Sequence, residues 1–227
     1  MIKGLPGLFP FWMSSAVLLD FDGTITMRDC SELVLRRFAD ERWQVYDDRM
    51  DRGEISLEDC MKLQFAMVHE RPESIIAYLD RNVEARPGLS GFLHLIDRGK
   101  CDVCIVSAGL DFFIEHFMKT RFREFELKLT TGKAIWNDGA IRFAFPSIKN
   151  PGALDFKQDA VLEAQKFHDR VIYIGDGSSD YNASRSSDHI YAVRGSRLAA
   201  MCSKESLPHS TFSSFSELED DVRKYLF

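Results

Sequence analysis

Ala16-Val17-Leu18-Leu19-Asp20-Phe21-Asp22-Gly23-Thr24 joins four consecutive apolar residues to a turn holding two carboxylates and a glycine. A run that is apolar at every position, rather than at alternate ones, suits a strand buried on both faces, as in a parallel sheet covered by helices. The pattern recurs twice. Val103-Cys104-Ile105-Val106 leads to Ser107-Ala108-Gly109, and Val171-Ile172-Tyr173-Ile174 leads to Gly175-Asp176-Gly177-Ser178-Ser179-Asp180. Strands of this kind, alternating with helical segments, predict an α/β fold built on a Rossmann-like parallel sheet between helices.

The segments between the strands carry helical periodicity. Leu89, Phe92, Leu93 and Ile96 share one stripe over 89–98, with Gly99 as a stopping C′ residue. Ala160, Val161, Ala164 and Phe167 share another over 157–167, and Ser216 with Glu219 forms a capping box for a helix over 216–227. From 29 to 86 helical patterning continues with no convincing strand, and Pro72 marks a helix start. At about 60 residues this stretch is too long for a crossover. It predicts a division into a core, 1–28 with 87–227, and a helical insert, 29–86, over the sheet's edge. Within 128–145, Asn137-Asp138-Gly139 between two β-prone runs predicts a hairpin.

Composition excludes several classes. Of 227 residues, 29 are Lys or Arg and 35 Asp or Glu, a net charge of −6 without a basic block, which argues against nucleic acid as the main partner. No apolar run approaches the ~20 residues that span a bilayer, so no membrane partner is expected. The apolar opening, 1–15, is broken by Pro6, Pro10, Ser14 and Ser15 and lacks a small-residue cleavage site. It reads as a short tail, or as the result of a start at Met1 where Met13 would serve, in a cytoplasmic protein. Five cysteines without framework spacing read as small buried hydrophobes. Cys101 and Cys104, three apart on a strand, face opposite ways.

In a doubly wound sheet, ligands bind beyond the carboxyl ends of the strands. The polar turns would therefore bring Asp20, Asp22, Asp176 and Asp180 to one mouth. Carboxylates that close raise one another's pKa unless a cation intervenes. An all-oxygen set suits Mg²⁺, held by a few carboxylates with waters and a substrate phosphate. Taken singly, an Asp at a strand end is more often a helix cap. Three such turns in order, with a downstream Lys157, point instead to phosphoryl chemistry.

Asp20-Phe21-Asp22-Gly23-Thr24-Ile25-Thr26 resembles the first motif of the haloacid dehalogenase superfamily, in its phosphatase branch, and Ser107, Lys157 and 175–180 resemble the second, third and fourth. The resemblance covers nearly the whole chain from Ala16 onward. It implies a core of this family's type carrying an inserted helical cap. It further implies that Asp20 attacks phosphorus to give an aspartyl-phosphate, and that Asp22 serves as general acid and base. Mg²⁺ would then be held by Asp20, the Asp22 carbonyl and Asp176, with Asp180 acting through water. Ser107, the backbone around Ala108 and Gly109, and Lys157 would hold the phosphoryl oxygens. A small phosphate monoester would be the substrate.

Two branches of that superfamily fit. The phosphoserine phosphatases share Gly53-Glu54-Ile55-Ser56-Leu57-Glu58, but carry Glu where this chain has Asp29 and a cap arginine where it has Gln64. The methionine-salvage phosphatases acting on 2-hydroxy-3-keto-5-methylthiopentenyl-1-phosphate share Asp29, Phe38-Ala39 with Trp43, and Asp111-Phe112-Phe113, but not the missing Cys-rich segment before Lys157. Phe38, Trp43, Met61, Phe65 and Met67 would wall a methylthio pocket or form the core of the cap. A non-catalytic phospho-ligand-binding protein of the same fold would be expected to break one of the four motifs.

Overall fold

The computed structural model describes residues 14–137 and 139–226. The readings made on 1–13, including Met13 as a start, lie outside the described residues, as does Asp138.

β1 (Ser15–Leu19) is buried along its whole length. It pairs in parallel with β2 (Asp102–Ser107) on one side and β6 (Arg170–Gly175) on the other. β3 (Lys128–Thr131) lies beyond β2, and β7 (His189–Val193) and β8 (Ser210–Phe212) lie beyond β6. The order β3-β2-β1-β6-β7-β8 is the doubly wound sheet expected, with its direction of winding reversing at β1. Alternate residues of β1 serve opposite faces. Val17 and Leu19 join the core under α5 (Leu89–Arg98) and α6 (Asp111–Arg121), whereas Ala16 and Leu18 join the core under α7 (Phe156–Ala164) and α8 (Tyr181–Ser186). Two-sided burial is why the strand reads as unbroken apolar sequence.

α1 (Cys30–Phe38), α2 (Gln44–Asp51), α3 (Leu57–Phe65) and α4 (Pro72–Asn82) lie between β1 and α5. Pro72 begins α4, where its missing N–H costs nothing. The chain leaves and returns at one place. Thr26 bridges Ala85, the Met27 N–H donates to the Glu84 carbonyl (2.9 Å), and the Arg86 N–H donates to the Ile25 carbonyl (2.8 Å). The expected hairpin is β4 (Lys133–Asn137) with β5 (Ala140–Ala144), antiparallel with Asn137 opposite Ala140. It packs on α3 through Phe143, whose ring meets that of Phe65 edge-on at 5.2 Å.

Three local expectations need correction. Gly99 keeps a right-handed φ of −76°, and Lys100 takes the left-handed position at φ 51°, so α5 winds off one residue late. α7 ends at Ala164, and Phe167 leaves the stripe to stand 76% exposed, because 165–169 must turn the chain back toward β6. The capping box lies at Ser214 and Glu217, not at Ser216 and Glu219. Phe215, fully buried and tied by its N–H to the Pro87 carbonyl, fixes that turn ahead of α10 (Glu219–Leu226). α9 (Arg197–Lys204) connects β7 to β8. Among the described residues no helix is long and apolar enough to cross a membrane.

Candidate active site

The parallel register sets the site. Leu19 stands beside Ile105 and Ile174, so Asp20, Ser107 and Asp176 all emerge just past the same sheet edge. The Asp20 N–H still donates to the Ile174 carbonyl (2.9 Å), which holds this residue as a rigid extension of β1. The next residues form a wide turn closed by the Thr26 N–H on the Phe21 carbonyl. Gly23 takes φ +73° there, and a Cβ on it would stand 2.4 Å from Asp176 Oδ2. Both the backbone angle and the close approach demand glycine.

Lys157 reaches this edge from the first turn of α7 and is 2% exposed. Its Nζ lies 2.7 Å from Asp20 Oδ1 and 2.7 Å from Asp180 Oδ1. Asp180 accepts on all sides: Tyr173 Oη also donates to Oδ1 (2.7 Å), and the Asp176 and Gly177 N–H groups donate to Oδ2 (3.0 and 2.9 Å). Asp176 Oδ1 accepts from the Thr24 hydroxyl (3.0 Å). Burial, the Asp180 carboxylate and that of Asp176 push the Asp20 carboxyl well up, against the pull of Lys157. Burial and Asp180 push Asp176 up to about 7. Burial would lower the Lys157 ammonium, but Asp180 and Asp20 outweigh it and hold it charged. Three carboxylates against one ammonium leave an excess of negative charge.

That excess is the test of fit for a cation. Asp20, Asp176 and Asp180 each offer an oxygen, all within 4.8 Å of one another, and the set contains neither sulfur nor imidazole. Such a hard donor set fits Mg²⁺. Because both Asp180 oxygens already carry donors, Asp20 and Asp176 are the residues with capacity to ligate directly.

Asp22, which lines one cavity with Asp20 and Asp176, is held from α1. Oδ1 accepts the Cys30 N–H (3.0 Å) and Oδ2 accepts the Ser31 hydroxyl (3.2 Å), both from the first turn of α1. Burial pushes its pKa up against these hydrogen bonds. On its other side stands Gly109, where a Cβ would meet Asp22 Oδ2 at 2.3 Å. The Gly109 N–H, expected to face a phosphoryl oxygen, donates instead to Ser107 Oγ (3.0 Å). Asp29 caps α1 by accepting the Glu32 N–H (2.8 Å), and burial with the nearby Asp22 pushes it up to about 8.

That cavity, of about 110 Å³, is lined by Asp20, Asp22, Asp29, Ser107, Lys157 and Asp176, with Ala108 and Gly109. It shares Asp29, Ser31, Leu57 and Met61 with a cavity of about 490 Å³ beneath α2 and α3. Trp43, Met61 and Gln64 line that second space; Phe65 and Phe38 do not, the former fully buried and the latter packed edge-on to Tyr78. Gln64 is buried and has its amide committed, donating to Asp47 Oδ1 (2.7 Å) and to the Trp43 carbonyl (3.2 Å). Among the described residues, the one cation on that lining, Arg197, is paired with Asp51 at 2.6 Å. A separate cavity of about 340 Å³ beside α7 touches none of the four motifs.

Sequence reasoning missed Tyr173, hidden in an apolar strand, and Arg86, which looks like a surface residue before Pro87. It also missed Asp47, one turn after Trp43. Only the side chains' contacts single them out.

The chain matches the model of the haloacid dehalogenase-like hydrolases over residues 17–185. It is 27% identical over 213 residues to the bifunctional enzyme MtnB/MtnX of Bacillus licheniformis, covering 92% of this chain and 48% of that one. The chain thus spans about half the length of that relative. It is 23% identical over 223 residues to the 2-hydroxy-3-keto-5-methylthiopentenyl-1-phosphate phosphatase of Exiguobacterium sibiricum, covering 93% and 97%. Among solved structures, a phospho-aspartyl intermediate analogue of phosphoserine phosphatase superposes with a TM-score of 0.69 at 16% identity, covering 91% and 97%. At that identity the likeness is one of fold.

Proposed function

The chain belongs to the haloacid dehalogenase-like hydrolase family, and on that premise we propose that it is a phosphatase hydrolysing a small-molecule phosphate monoester through an aspartyl-phosphate on Asp20. The observation that carries this reading is the buried Lys157 held between Asp20 and Asp180 at the mouth shared with Asp176 and Ser107. An Asp20 oxygen attacks phosphorus as the ester P–O bond breaks, and Asp22 gives its proton to the departing alkoxide. Water then attacks the aspartyl-phosphate, Asp22 takes back a proton, and Asp20 is freed with inorganic phosphate. Lys157 and Ser107 hold phosphoryl oxygens as charge shifts onto them. Asp180 aims Lys157 and the 176–177 turn rather than touching substrate.

Asp20, Asp176 and the Asp22 carbonyl would hold Mg²⁺, which when bound would offset repulsion between the carboxylates and an anionic ester. Residues 29–86 act as the cap that supplies the second cavity. Turnover of p-nitrophenyl phosphate by purified protein tests the reading directly. Activity is expected to vanish after dialysis against EDTA and to return with Mg²⁺ more fully than with Ca²⁺, whose longer, more numerous bonds loosen the attack geometry. Full activity in excess EDTA would remove the cation from the proposal.

For the substrate, 2-hydroxy-3-keto-5-methylthiopentenyl-1-phosphate is favoured over phosphoserine. A buried carboxylate needs a paired cation, and Arg197 and Gln64 are already engaged with Asp51 and Asp47. The Trp43 and Met61 walls suit an apolar methylthio group instead. Gln64→Arg alone is therefore expected to pair its guanidinium with Asp47 and leave phosphoserine a poor substrate. Adding Asp47→Ala frees that cation. The double variant should improve kcat/KM for phosphoserine, relative to an uncharged alkyl phosphate, by about 10-fold or more, the value of one charged hydrogen bond. An unchanged ratio in both folded variants would mean that this cavity does not hold the leaving group.

A further inference from the structure

Arg86 is 6% exposed and forms no ion pair among the described residues. A buried guanidinium carries a desolvation cost, and burial does lower its hold on the proton while the Asp176 carboxylate supports it. What it gains is three carbonyl acceptors. Nε donates to the Thr24 carbonyl (2.8 Å), one terminal nitrogen to the Gly23 carbonyl, and the other to the Ser213 carbonyl (3.2 Å). Its own N–H donates to the Ile25 carbonyl. Phe212 packs against the fork, its ring centroid 5.8 Å from the guanidinium carbon.

Two of those carbonyls belong to the turn that carries the chemistry. Gly23 lies against Asp176, and Thr24 donates its hydroxyl to Asp176 Oδ1. The third acceptor, Ser213, lies in the segment whose Phe215 N–H and Ser214 hydroxyl both donate to the Pro87 carbonyl. Arg86 thus stands on a base stapled to the segment after β8 and grips the nucleophile turn by two of its carbonyls.

We propose that Arg86 is a positioning residue for the reaction: its planar fork fixes the Gly23–Thr24 peptides, and through the Thr24 hydroxyl it orients Asp176 for the divalent cation. This rests on the phosphatase reading for its kinetic arm alone. A lysine keeps the charge but offers no planar fork for divergent carbonyls, so it is no conservative replacement.

The test compares Arg86→Met, Arg86→Lys and Arg86→Ala with the unchanged protein, reading Mn²⁺ affinity by electron paramagnetic resonance and turnover of p-nitrophenyl phosphate over a range of Mg²⁺. Outer-shell partners of metal ligands typically account for about 10–100-fold in affinity or activity. Arg86→Met and Arg86→Lys should lose Mn²⁺ affinity and kcat by that amount, with KM at saturating Mg²⁺ within about threefold, since ester binding is not what the fork supplies. Guanidinium ion at millimolar concentration should restore part of both losses in Arg86→Ala, and ammonium should not. Wild-type Mn²⁺ affinity in a folded Arg86→Met or Arg86→Lys variant overturns the proposal. So do losses that disappear when the variants are assayed well below their melting temperatures, which would mark a merely structural residue. Should Arg86→Met not fold, Arg86→Lys decides by the same readings. Should the unchanged protein turn over no phosphate ester, the phosphatase reading falls while the Mn²⁺ arm still decides the role of Arg86.

Discussion

Asp20→Asn is expected to abolish turnover, a fall on the order of 10⁴-fold or more, as removal of a covalent nucleophile does. The substitution keeps the side chain's shape but replaces the oxygen that accepts from Lys157 Nζ at 2.7 Å, or its neighbour, with an amide that cannot displace an alkoxide at phosphorus. The fold should survive, because Asp180 still partners Lys157 and Asp20 keeps its backbone bond to Ile174. Removing one of three crowded carboxylates even relieves repulsion. Incubation with substrate followed by borohydride should trap nothing in this variant. Retained activity, or trapping at another residue, would displace Asp20 as nucleophile.

Asp22→Asn separates the second carboxylate from the first. General acid–base groups contribute about 10²–10⁴-fold, and their share depends on how badly the leaving group needs a proton. p-Nitrophenolate departs with little help, whereas an alkoxide needs it. Phosphorylation of Asp20 should therefore survive better with the aryl ester than with an alkyl one. Hydrolysis of the phosphoenzyme, which needs Asp22 as base, should slow for both, so the aspartyl-phosphate should accumulate and be trapped. The Cys30 N–H can still donate to the asparagine's carbonyl oxygen, and the Ser31 hydroxyl can turn to accept from its NH₂ group, so the α1 start should hold. Equal loss of the phosphorylation step for both esters would refute the role given to Asp22.

What the sequence made legible follows its period. β1, β2 and β6 announce themselves because burial on both faces leaves no polar position, and their registers alone bring Asp20, Ser107 and Asp176 together. Lys157 was legible by its place in the order of motifs. The supports were not. Tyr173 sits among valine and isoleucine as another strand-former, and its hydroxyl matters only because Asp180 stands seven residues on, across the turn. Arg86 and Asp47 act through partners 62 and 17 residues away, at distances no local pattern encodes. Gln64 was read as the absence of an arginine; its burial and its bond to Asp47 add that the position is already satisfied from within. Helix ends failed where tertiary anchors overruled local signals, as Phe215 did for the closing cap.

The paired crossing at Thr26 and Ala85 has a consequence for ancestry. Everything between those residues hangs from the sheet by two neighbouring strands of chain, so its ends are already joined. A genetic event that shortened, lengthened or exchanged this interval would leave the order of the six strands, and Asp20 and Asp176 on their own strands, untouched, with little loop-closure penalty to meet. The scars would be at Asp22, which would need new partners in place of the Cys30 N–H and Ser31 hydroxyl, and on the β4–β5 hairpin, where Phe143 would lose the ring of Phe65. Descendants of one such sheet could in this way keep their chemistry and inherit new appetites by trading a single interval.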